Sequence, residues 1–357
     1  MAKLATNQGA AAIAPPLPER VDLRSYALVT AAYWGFTLTD GALRMLVLLY
    51  FHQLGYSALQ VALLFVLYEF FGVVTNLVGG WVGARFGLKV TLFGGLALQI
   101  FALVMLALLP TAWPHWATVS YVMASQAFSG IAKDLTKMSA KSAIKLVVPA
   151  NAEGALFKWV AILTGSKNAL KGVGFFLGGA LLAAVGFTGA LWFMVGGLSI
   201  VLALSVRLLN GDMGKSKRKA PFSAIFSKTP AINVLSAARL FLFGARDVWF
   251  VVAVPLYMST VLGWNFTTVG AFFALWVIGY GLVQSAAPGL LARGGAFPHG
   301  GTAQRWALIL TLVATAIASL MALNWQPTAV LVVGLALFGV VFAMNSAIHS
   351  FLILAYS

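Results

Sequence analysis

The chain has 357 residues, of which 61% are hydrophobic and 9% charged, and its mean hydropathy of +0.94 excludes an ordinary soluble domain. It contains no cysteine, which excludes disulfides, thiolate metal sites and a cysteine nucleophile. The net charge of +15 comes largely from lysines and arginines between apolar segments, a pattern typical of membrane proteins rather than of nucleic-acid binding. We therefore expect an integral membrane protein that lies in a lipid bilayer and binds no nucleic acid.

The first 24 residues, "MAKLATNQGAAAIAPPLPERVDLR", are rich in Ala and Pro. They lack the apolar run of about 7–15 residues that a signal peptide needs, so residues 1–24 are predicted to be a flexible cytosolic tail. A membrane-spanning helix needs about 20 apolar residues. Ten segments meet that length and are predicted spans: 26–51, 57–82, 90–112, 117–140, 155–185, 188–209, 231–260, 267–291, 304–323 and 328–352.

Charge in the loops predicts the orientation of the chain. Loops with several Lys and Arg alternate with loops that have none, such as "LGYS", "LGWN" and "NWQP". Because cytoplasmic loops carry the positive excess, the N-terminus is predicted to lie in the cytosol.

An internal repeat predicts the domain organisation. A shift of 208 residues superposes Leu54-Gly55 on Leu262-Gly263 and Ala84-Arg85 on Ala292-Arg293, so the halves look like parallel repeats. We expect a six-helix bundle over 25–209, a basic central loop over 210–230 and a second bundle over 231–357. The second bundle holds four predicted spans, and the last two helices of a six-plus-six transporter are expected to be missing.

The loop after the second predicted span reads "GGWVGARFGLKV" and resembles the Gly-x-x-x-Asp-Arg-x-Gly-Arg-Lys signature of the major facilitator superfamily. The matching residues, which form a gating loop in that family, are Gly80, Arg85, Gly87 and Lys89. Ala84 stands at the usual Asp position, which puts the family's charge relay in doubt. The resemblance implies an all-α fold whose cavity is lined by the first, fourth, fifth and seventh spans.

Charged residues inside the predicted spans are the strongest functional signal. An ionisable group at the bilayer centre costs about 2.5–3.5 kcal/mol on insertion scales, so each needs a partner, water or a function. Near the middle of their spans lie Asp40, Glu69, Lys167, Lys171, Arg246 and Asp247. Further from the middle lie Arg44, Lys133, Asp134, Lys137 and Arg239.

Helical spacing predicts which of these side chains share a face. Asp40 and Arg44 can pair along one helix, and Lys167 and Lys171 face the same way and repel each other unless an anion lies between them. Arg239 and Arg246 are predicted to share a face with Phe243 between them. Cations outnumber acids in this set, so the cavity is predicted to bind an organic anion, phosphorylated or arsenylated.

The predicted substrate-binding residues are Arg44, Lys133, Lys137, Lys167, Asn168, Lys171, Arg239 and Arg246. The predicted proton-coupling or ion-pair residues are Asp40, Glu69, Asp134 and Asp247.

Simpler interpretations of these residues stay open. Asp40 and Arg44 can be a structural ion pair. Glu69 can be a hydrogen-bonded helix contact. The stripe of lysines at 133, 137, 141 and 145 can extend toward the cytosol, and that is the favoured interpretation for its last two members. Another helix can also supply an acid to Lys167 or Lys171.

The four histidines, at 52, 115, 299 and 349, show no metal-ligand spacing, and no nucleotide-phosphate motif is present. We expect no metal, no cofactor and no enzyme activity.

Several stretches carry a closer resemblance: "FTLTDGALRMLVLLYFHQLGYS", "YEFFGVVTNLVGGW", "GIAKDLTKMSAKSAIK", "LTGSKNALKGVGFFLGG" and "LFLFGARDVWFVVAVP". They are similar to the ArsJ-type organoarsenical efflux permeases of the major facilitator superfamily. That resemblance implies a bacterial inner-membrane exporter of 1-arseno-3-phosphoglycerate, a product of glyceraldehyde-3-phosphate dehydrogenase, which confers arsenate resistance. The residues leave open the coupling ion, with protons as one partner, and two other functions: a sugar-phosphate or organic-anion exchanger, and a non-transporting membrane sensor.

Overall fold

The computed structural model describes residues 23–110, 112–144, 147–148, 153–209, 230–248, 250, 253–291 and 297–356. The predicted tail over 1–24 and the predicted central loop over 210–230 lie almost wholly outside these ranges, and so do Lys145 and Arg293. Their assignments remain predictions.

The described chain is helical throughout its regular structure, as expected where backbone polar groups must be satisfied within the segment. The helices are α1 (Leu23–Gln53), α2 (Ala58–Leu64), α3 (Val66–Phe86), α4 (Leu88–Ala107), α5 (His115–Ala143), α6 (Glu153–Leu208), α7 (Pro230–Val248), α8 (Val254–Thr260), α9 (Phe266–Leu291), α10 (Gly300–Ala322) and α11 (Pro327–Tyr356).

Three of the predicted segments differ from the helices in continuity. The second is divided at Phe65 into α2 and α3. The seventh is divided into α7 and α8, and Pro255, which has no backbone N–H, lies in the first turn of α8. The fifth and sixth run together as α6, where Gly186 breaks the helical path with φ of 70° and ψ of −178°. A left-handed φ of this kind favours glycine.

Six stretches of the described helices are long and apolar enough to cross a membrane: Leu59–Asn76, Leu88–Ala107, Gly154–Leu208, Thr268–Leu291, Gly300–Ala322 and Pro327–Tyr356. Helices α1, α5 and α7 do not meet that standard, and all three carry charged side chains in their interior. The ten-span topology and the absence of two further helices therefore remain predictions.

A local turn recurs at the 208-residue shift found in the sequence. Gly55 and Gly263, which are 208 residues apart, both adopt a positive φ, 87° and 69°. Two residues after each glycine a polar side chain caps the next helix: Ser57 Oγ accepts from Gln60 N at 3.3 Å, and Asn265 Oδ1 accepts from Thr268 N at 2.8 Å. The same local turn is thus built twice, and the division of the chain into two bundles, called the two halves below, remains a prediction.

Helix α6 joins the two halves through glycines. A side chain at Gly178 would place its Cβ 2.3 Å from the carbonyl oxygen of Ala42 on α1. A side chain at Gly165 would place its Cβ 2.4 Å from the carbonyl oxygen of Gly281 on α9. Small residues allow helix backbones to approach closely in a membrane, so one helix packs against both halves of the protein.

Candidate functional site

A buried carboxylate of the site belongs to Asp40 in the middle of α1. Its side chain is 5% exposed, and its Oδ2 lies 3.4 Å from Nζ of Lys171 on α6. The hydroxyl of Tyr68 on α3 donates to the Oδ1 of Asp40 at 2.5 Å. Three helices therefore meet at this one carboxylate.

Arg44, one turn further along α1, forms an ion pair with Glu69 on α3. Lys133 Nζ on α5 lies 3.4 Å from the other carboxylate oxygen of Glu69. Among the described side chains, the partner of Arg44 within ion-pair distance is Glu69, so the predicted pairing of Asp40 with Arg44 along α1 is wrong. Packing presents carboxylates and cations from neighbouring helices, and those contacts replace the local one.

Tyr68 contacts both the carboxylate of Asp40 and the two cations that bind Glu69. Its hydroxyl binds Asp40, while Arg44 Cζ lies 4.3 Å and Lys133 Nζ 4.1 Å from the centre of its ring. A cation within about 6 Å of an aromatic ring centre is attracted by the electrons of the ring face. Arg44 and Lys133, which both bind Glu69, thus also both contact the fully buried ring of Tyr68.

Helix α5 carries its own ion pair. Asp134, whose side chain is 3% exposed, is bound by Lys137 one turn away, and Lys133 Nζ lies 4.0 Å from its other oxygen. The lysines at 133 and 137 are thus neutralised within the bundle. They do not form one uniform stripe with Lys141.

Lys167 and Lys171 have different surroundings, although the sequence predicted that they would act as a pair. Lys171 is bound to Asp40. Lys167 has no ion pair within 4.0 Å with any of the three carboxylates that the structure describes, those of Asp40, Glu69 and Asp134. The two lysines that the sequence predicted to act together therefore differ: Lys171 is paired with a carboxylate, and Lys167 is not paired with a described one.

Helix α7 contributes two arginines from the second half. Arg239 Cζ lies 4.9 Å and Arg246 Cζ 5.4 Å from the ring centre of Phe243, which confirms that the three residues share a face. Arg239 Nη1 donates to Ser350 Oγ on α11 at 3.2 Å. Arg246 also lies 4.8 Å from the ring centre of Phe342. The side chain of Asp247 lies outside those that the structure describes.

A polar relay crosses from one half to the other. Asn168, next to Lys167, donates to Gln284 on α9 at 2.6 Å, and Gln284 donates to Ser346 on α11 at 2.9 Å. The relay ends one turn from Ser350, the partner of Arg239. The sequence identified Asn168 but not the other members of this relay.

The predicted gating loop is a tight turn between α3 and α4. Gly87 has φ of 89°, and its N–H donates to the carbonyl of Gly83 at 2.9 Å. Arg85 Cζ lies 5.3 Å from the ring centre of Trp81, and Lys89 lies in the first turn of α4. The surroundings of Gly80 are outside the described part of the structure. The gating role of this loop remains a prediction.

The region between the halves is strongly positive. Apart from Arg246, it holds three described carboxylates, those of Asp40, Glu69 and Asp134, against seven cations, which is a formal excess of four positive charges. The seven are Arg44, Lys133, Lys137, Lys141, Lys167, Lys171 and Arg239. Within the described ranges, no group of three or more His, Asp or Glu side chains is placed to hold a metal ion.

The profile of the Major Facilitator Superfamily matches residues 29–356 of the chain. The chain belongs to the major facilitator superfamily. It is a multi-pass membrane transporter with the helical fold of that superfamily. No curated protein matches the sequence significantly.

Solved structures of the major facilitator superfamily share the fold at low identity. A bacterial homologue of the iron transporter ferroportin, in an outward-facing state, superposes with a TM-score of 0.68 and 15% identity, over 93% of this chain and 84% of the other. The proton:xylose symporter XylE, bound to 6-bromo-6-deoxy-D-glucose, superposes with a TM-score of 0.67 and 14% identity, over 93% and 81%. At these identities the likeness shows the fold alone.

In this superfamily member, several residues of the polar region were not predicted from the sequence. Gln284, Ser346 and Ser350 are buried in apolar helices of the second half and are less than 3% exposed. Gln284 is a single large amide in the run "GYGLVQSAAPG", and polar residues inside membrane spans mark functional sites by default. That signal was present in the sequence, but its partner Asn168 is 116 residues away.

Proposed function

We propose that the protein is a secondary active transporter of organic oxyanions that works by alternating access, with its two halves rocking around the cationic region. The observation that most directly supports this proposal is the formal excess of four positive charges between the halves. Buried charge without compensation is costly, so an anionic substrate supplies what the chain lacks.

The types of cation support a phosphate-like group over a simple carboxylate. A guanidinium presents paired N–H donors to tetrahedral oxyanions, and lysines add point charge. Esters of phosphate and arsenate carry about −1.5 to −2 charges near neutral pH, which suits a region with several uncompensated cations.

We propose 1-arseno-3-phosphoglycerate as the substrate, exported across a bacterial inner membrane by a chain whose N-terminus is cytosolic. The support is the sequence resemblance to ArsJ-type permeases together with the two oxyanion groups of this molecule, which match a wide cationic region. Such export removes a product that glyceraldehyde-3-phosphate dehydrogenase forms from arsenate, and so confers arsenate resistance. Export against a gradient needs coupling, and we propose Glu69 or Asp40 as the carrier of a proton.

A sugar-phosphate exchanger is the second candidate, because the cationic region has no feature that selects arsenic over phosphorus. Everted membrane vesicles from cells that express the chain distinguish the two. Arsenate, glyceraldehyde 3-phosphate and the dehydrogenase with its nucleotide generate the organoarsenical outside the vesicles, and arsenic inside is measured by mass spectrometry.

Arsenic accumulation in vesicles without internal sugar phosphate is the expected result. Accumulation only in vesicles preloaded with sugar phosphate would identify an exchanger. A protein that moves neither compound in either condition would overturn the proposal and favour a sensor. Vesicles with the Lys167→Gln variant should lose accumulation, whereas Lys158→Gln, an exposed lysine on the same helix, should retain it.

A further inference from the structure

The seven cations between the halves fall into two groups by their partners. Four of them are held by the three described carboxylates: Lys171 by Asp40, Arg44 and Lys133 by Glu69, and Lys137 by Asp134. This first group carries a net charge of only +1. Lys141, Lys167 and Arg239 form the second group, and none of the three lies within 4.0 Å of a described carboxylate.

The three uncompensated cations come from three helices and both halves. Lys141 lies at the end of α5, Lys167 in the first half of α6, and Arg239 in the middle of α7. Burial is the main influence that disfavours the charged ammonium of Lys141, and the charges of Arg239, Lys137 and Lys167 add to it. Like charges repel strongly in a medium of low dielectric constant, so this arrangement is stabilised when an anion lies among them.

Polar contacts hold two of the three cations in register across the halves. Arg239 donates to Ser350 at 3.2 Å, and Ser350 lies one turn after Ser346 on α11. Ser346 accepts a hydrogen bond from Gln284, and Gln284 accepts one from Asn168, the neighbour of Lys167. A guanidinium has five N–H donors, so its contact with Ser350 orients the group without using all of them.

We propose that Lys141, Lys167 and Arg239 form the subsite for the phosphate-type dianion of the substrate, so that one tetrahedral oxyanion bridges the two halves. This inference rests on the proposed transport of organic oxyanions and locates its most highly charged group. The ion-paired region around Asp40 and Glu69 then contributes less to the binding of that group, because its net charge is only +1.

Lys141 is the residue of this subsite that the sequence did not predict to bind substrate. The lysine spacing along α5 favours a solvent-directed stripe, but Lys133 and Lys137 are bound to Glu69 and Asp134 inside the bundle. Lys141 continues the same face of the helix by one further turn. It therefore lies on the side of α5 that carries Lys133 and Lys137, where the charges of Lys167 on α6 and Arg239 on α7 also act on it.

The test compares two probes on the purified full chain in detergent: 3-phosphoglycerate, and glycerate, which lacks the phosphate. Isothermal titration calorimetry gives the ratio of their affinities. The unaltered protein should prefer 3-phosphoglycerate by at least about 10-fold, the scale of one charge-assisted hydrogen bond. Lys141→Gln, Lys167→Gln and Arg239→Gln should each weaken 3-phosphoglycerate binding by about 10- to 100-fold and bring the ratio toward one.

Matched controls keep the result interpretable. Lys158→Gln and Arg207→Gln remove exposed cations of α6 and should leave the ratio unchanged. Lys141→Arg keeps the charge and should keep most of the preference, which separates lost charge from lost folding. A Lys141→Gln protein that folds and retains the full preference would overturn the subsite. Wild-type protein that binds neither probe and transports no oxyanion would instead overturn the proposed function.

Discussion

At the scale of single residues, the two lysines of α6 illustrate how position and partner differ. Both lie near the middle of a predicted span and one turn apart, so their sequence environments are nearly the same. Lys171 Nζ lies 3.4 Å from Asp40 Oδ2, whereas Lys167 has no described carboxylate within 4.0 Å. Removing the charge should therefore affect stability at one position and anion binding at the other.

Lys171→Gln leaves the carboxylate of Asp40 buried with Tyr68 as its remaining hydrogen-bond donor. Removing one partner of a buried pair costs about 3–5 kcal/mol, so we expect a marked fall in the midpoint of thermal unfolding in detergent. The double variant Asp40→Asn/Lys171→Gln should recover part of that loss, because no buried charge is left uncompensated. Lys167→Gln is the control and should unfold near the wild-type temperature. Equal losses for both lysines would contradict the division.

Glu69 is bound by cations from two other helices, Arg44 on α1 and Lys133 on α5, although its side chain is 59% exposed. In the proposed mechanism, protonation of Glu69 weakens its ion pairs with Arg44 and Lys133. We expect Glu69→Gln to retain 3-phosphoglycerate binding but to lose the response of export to an imposed pH gradient. Export by everted vesicles with and without the gradient measures this. A variant with unchanged pH response would assign Glu69 a structural role.

At the scale of helices, the packing of α6 depends on which glycines meet a backbone. Gly178 and Gly179 are adjacent, and the sequence offers no reason to separate them. Gly178 faces Ala42 of α1, while the nearest atom to a Cβ at Gly179 is Leu49 Cδ1 at 3.8 Å, an ordinary contact. Only the first position requires glycine for close approach.

We expect Gly178→Ala to lower stability by about 1–3 kcal/mol, because its methyl group would lie 2.3 Å from the Ala42 carbonyl oxygen. Gly179→Ala should be neutral or slightly stabilising, since alanine favours helix over glycine by up to about 1 kcal/mol. Thermal unfolding of the two variants in the same detergent measures the difference. Similar unfolding midpoints for the two variants would show that α1 can shift away from α6 without loss of stability.

At the scale of the whole molecule, the halves meet where α6 contacts α9 and α11, so alternating access requires motion at these contacts. The rings of Phe157 and Phe351 lie 5.0 Å apart across the halves. Trp34 Nε1 donates to Ser166 Oγ at 3.0 Å within the first half. Because the chain contains no cysteine, introduced pairs report on these positions alone.

We expect a reducible thiol-specific cross-linker to stop transport by a Phe157→Cys/Phe351→Cys variant in vesicles and dithiothreitol to restore it, because the cross-link would hold the halves together. Such a linker spans the gap left by the two rings, which is too long for a direct disulfide. Cross-linked Trp34→Cys/Ser166→Cys should keep transport largely intact, because both residues lie in one half. Mass spectrometry confirms each cross-link, and full transport by the cross-linked cross-half protein would contradict rocking of the halves at this contact.

The sequence by itself determined the membrane class, most of the helical segments and the repeat of Leu54-Gly55 at Leu262-Gly263. These features depend on hydropathy and backbone chemistry within a few residues of each position, so they can be read along the chain. It also located the charged residues within the predicted spans, since their cost in a bilayer depends on depth. The substrate and the ten-span topology remain predictions.

Only the tertiary structure decided which charges compensate each other. Asp40 lies four residues from Arg44, yet its partners are Lys171 on α6 and Tyr68 on α3. The partner of Gln284 is 116 residues away, at Asn168. Pairing depends on the rotation and close approach of helices that are distant in the chain, and those follow from packing at positions such as Gly178. Local spacing therefore revealed where the charges lie, and packing separated the cations that pair with described carboxylates from Lys141, Lys167 and Arg239, which do not lie within 4.0 Å of one.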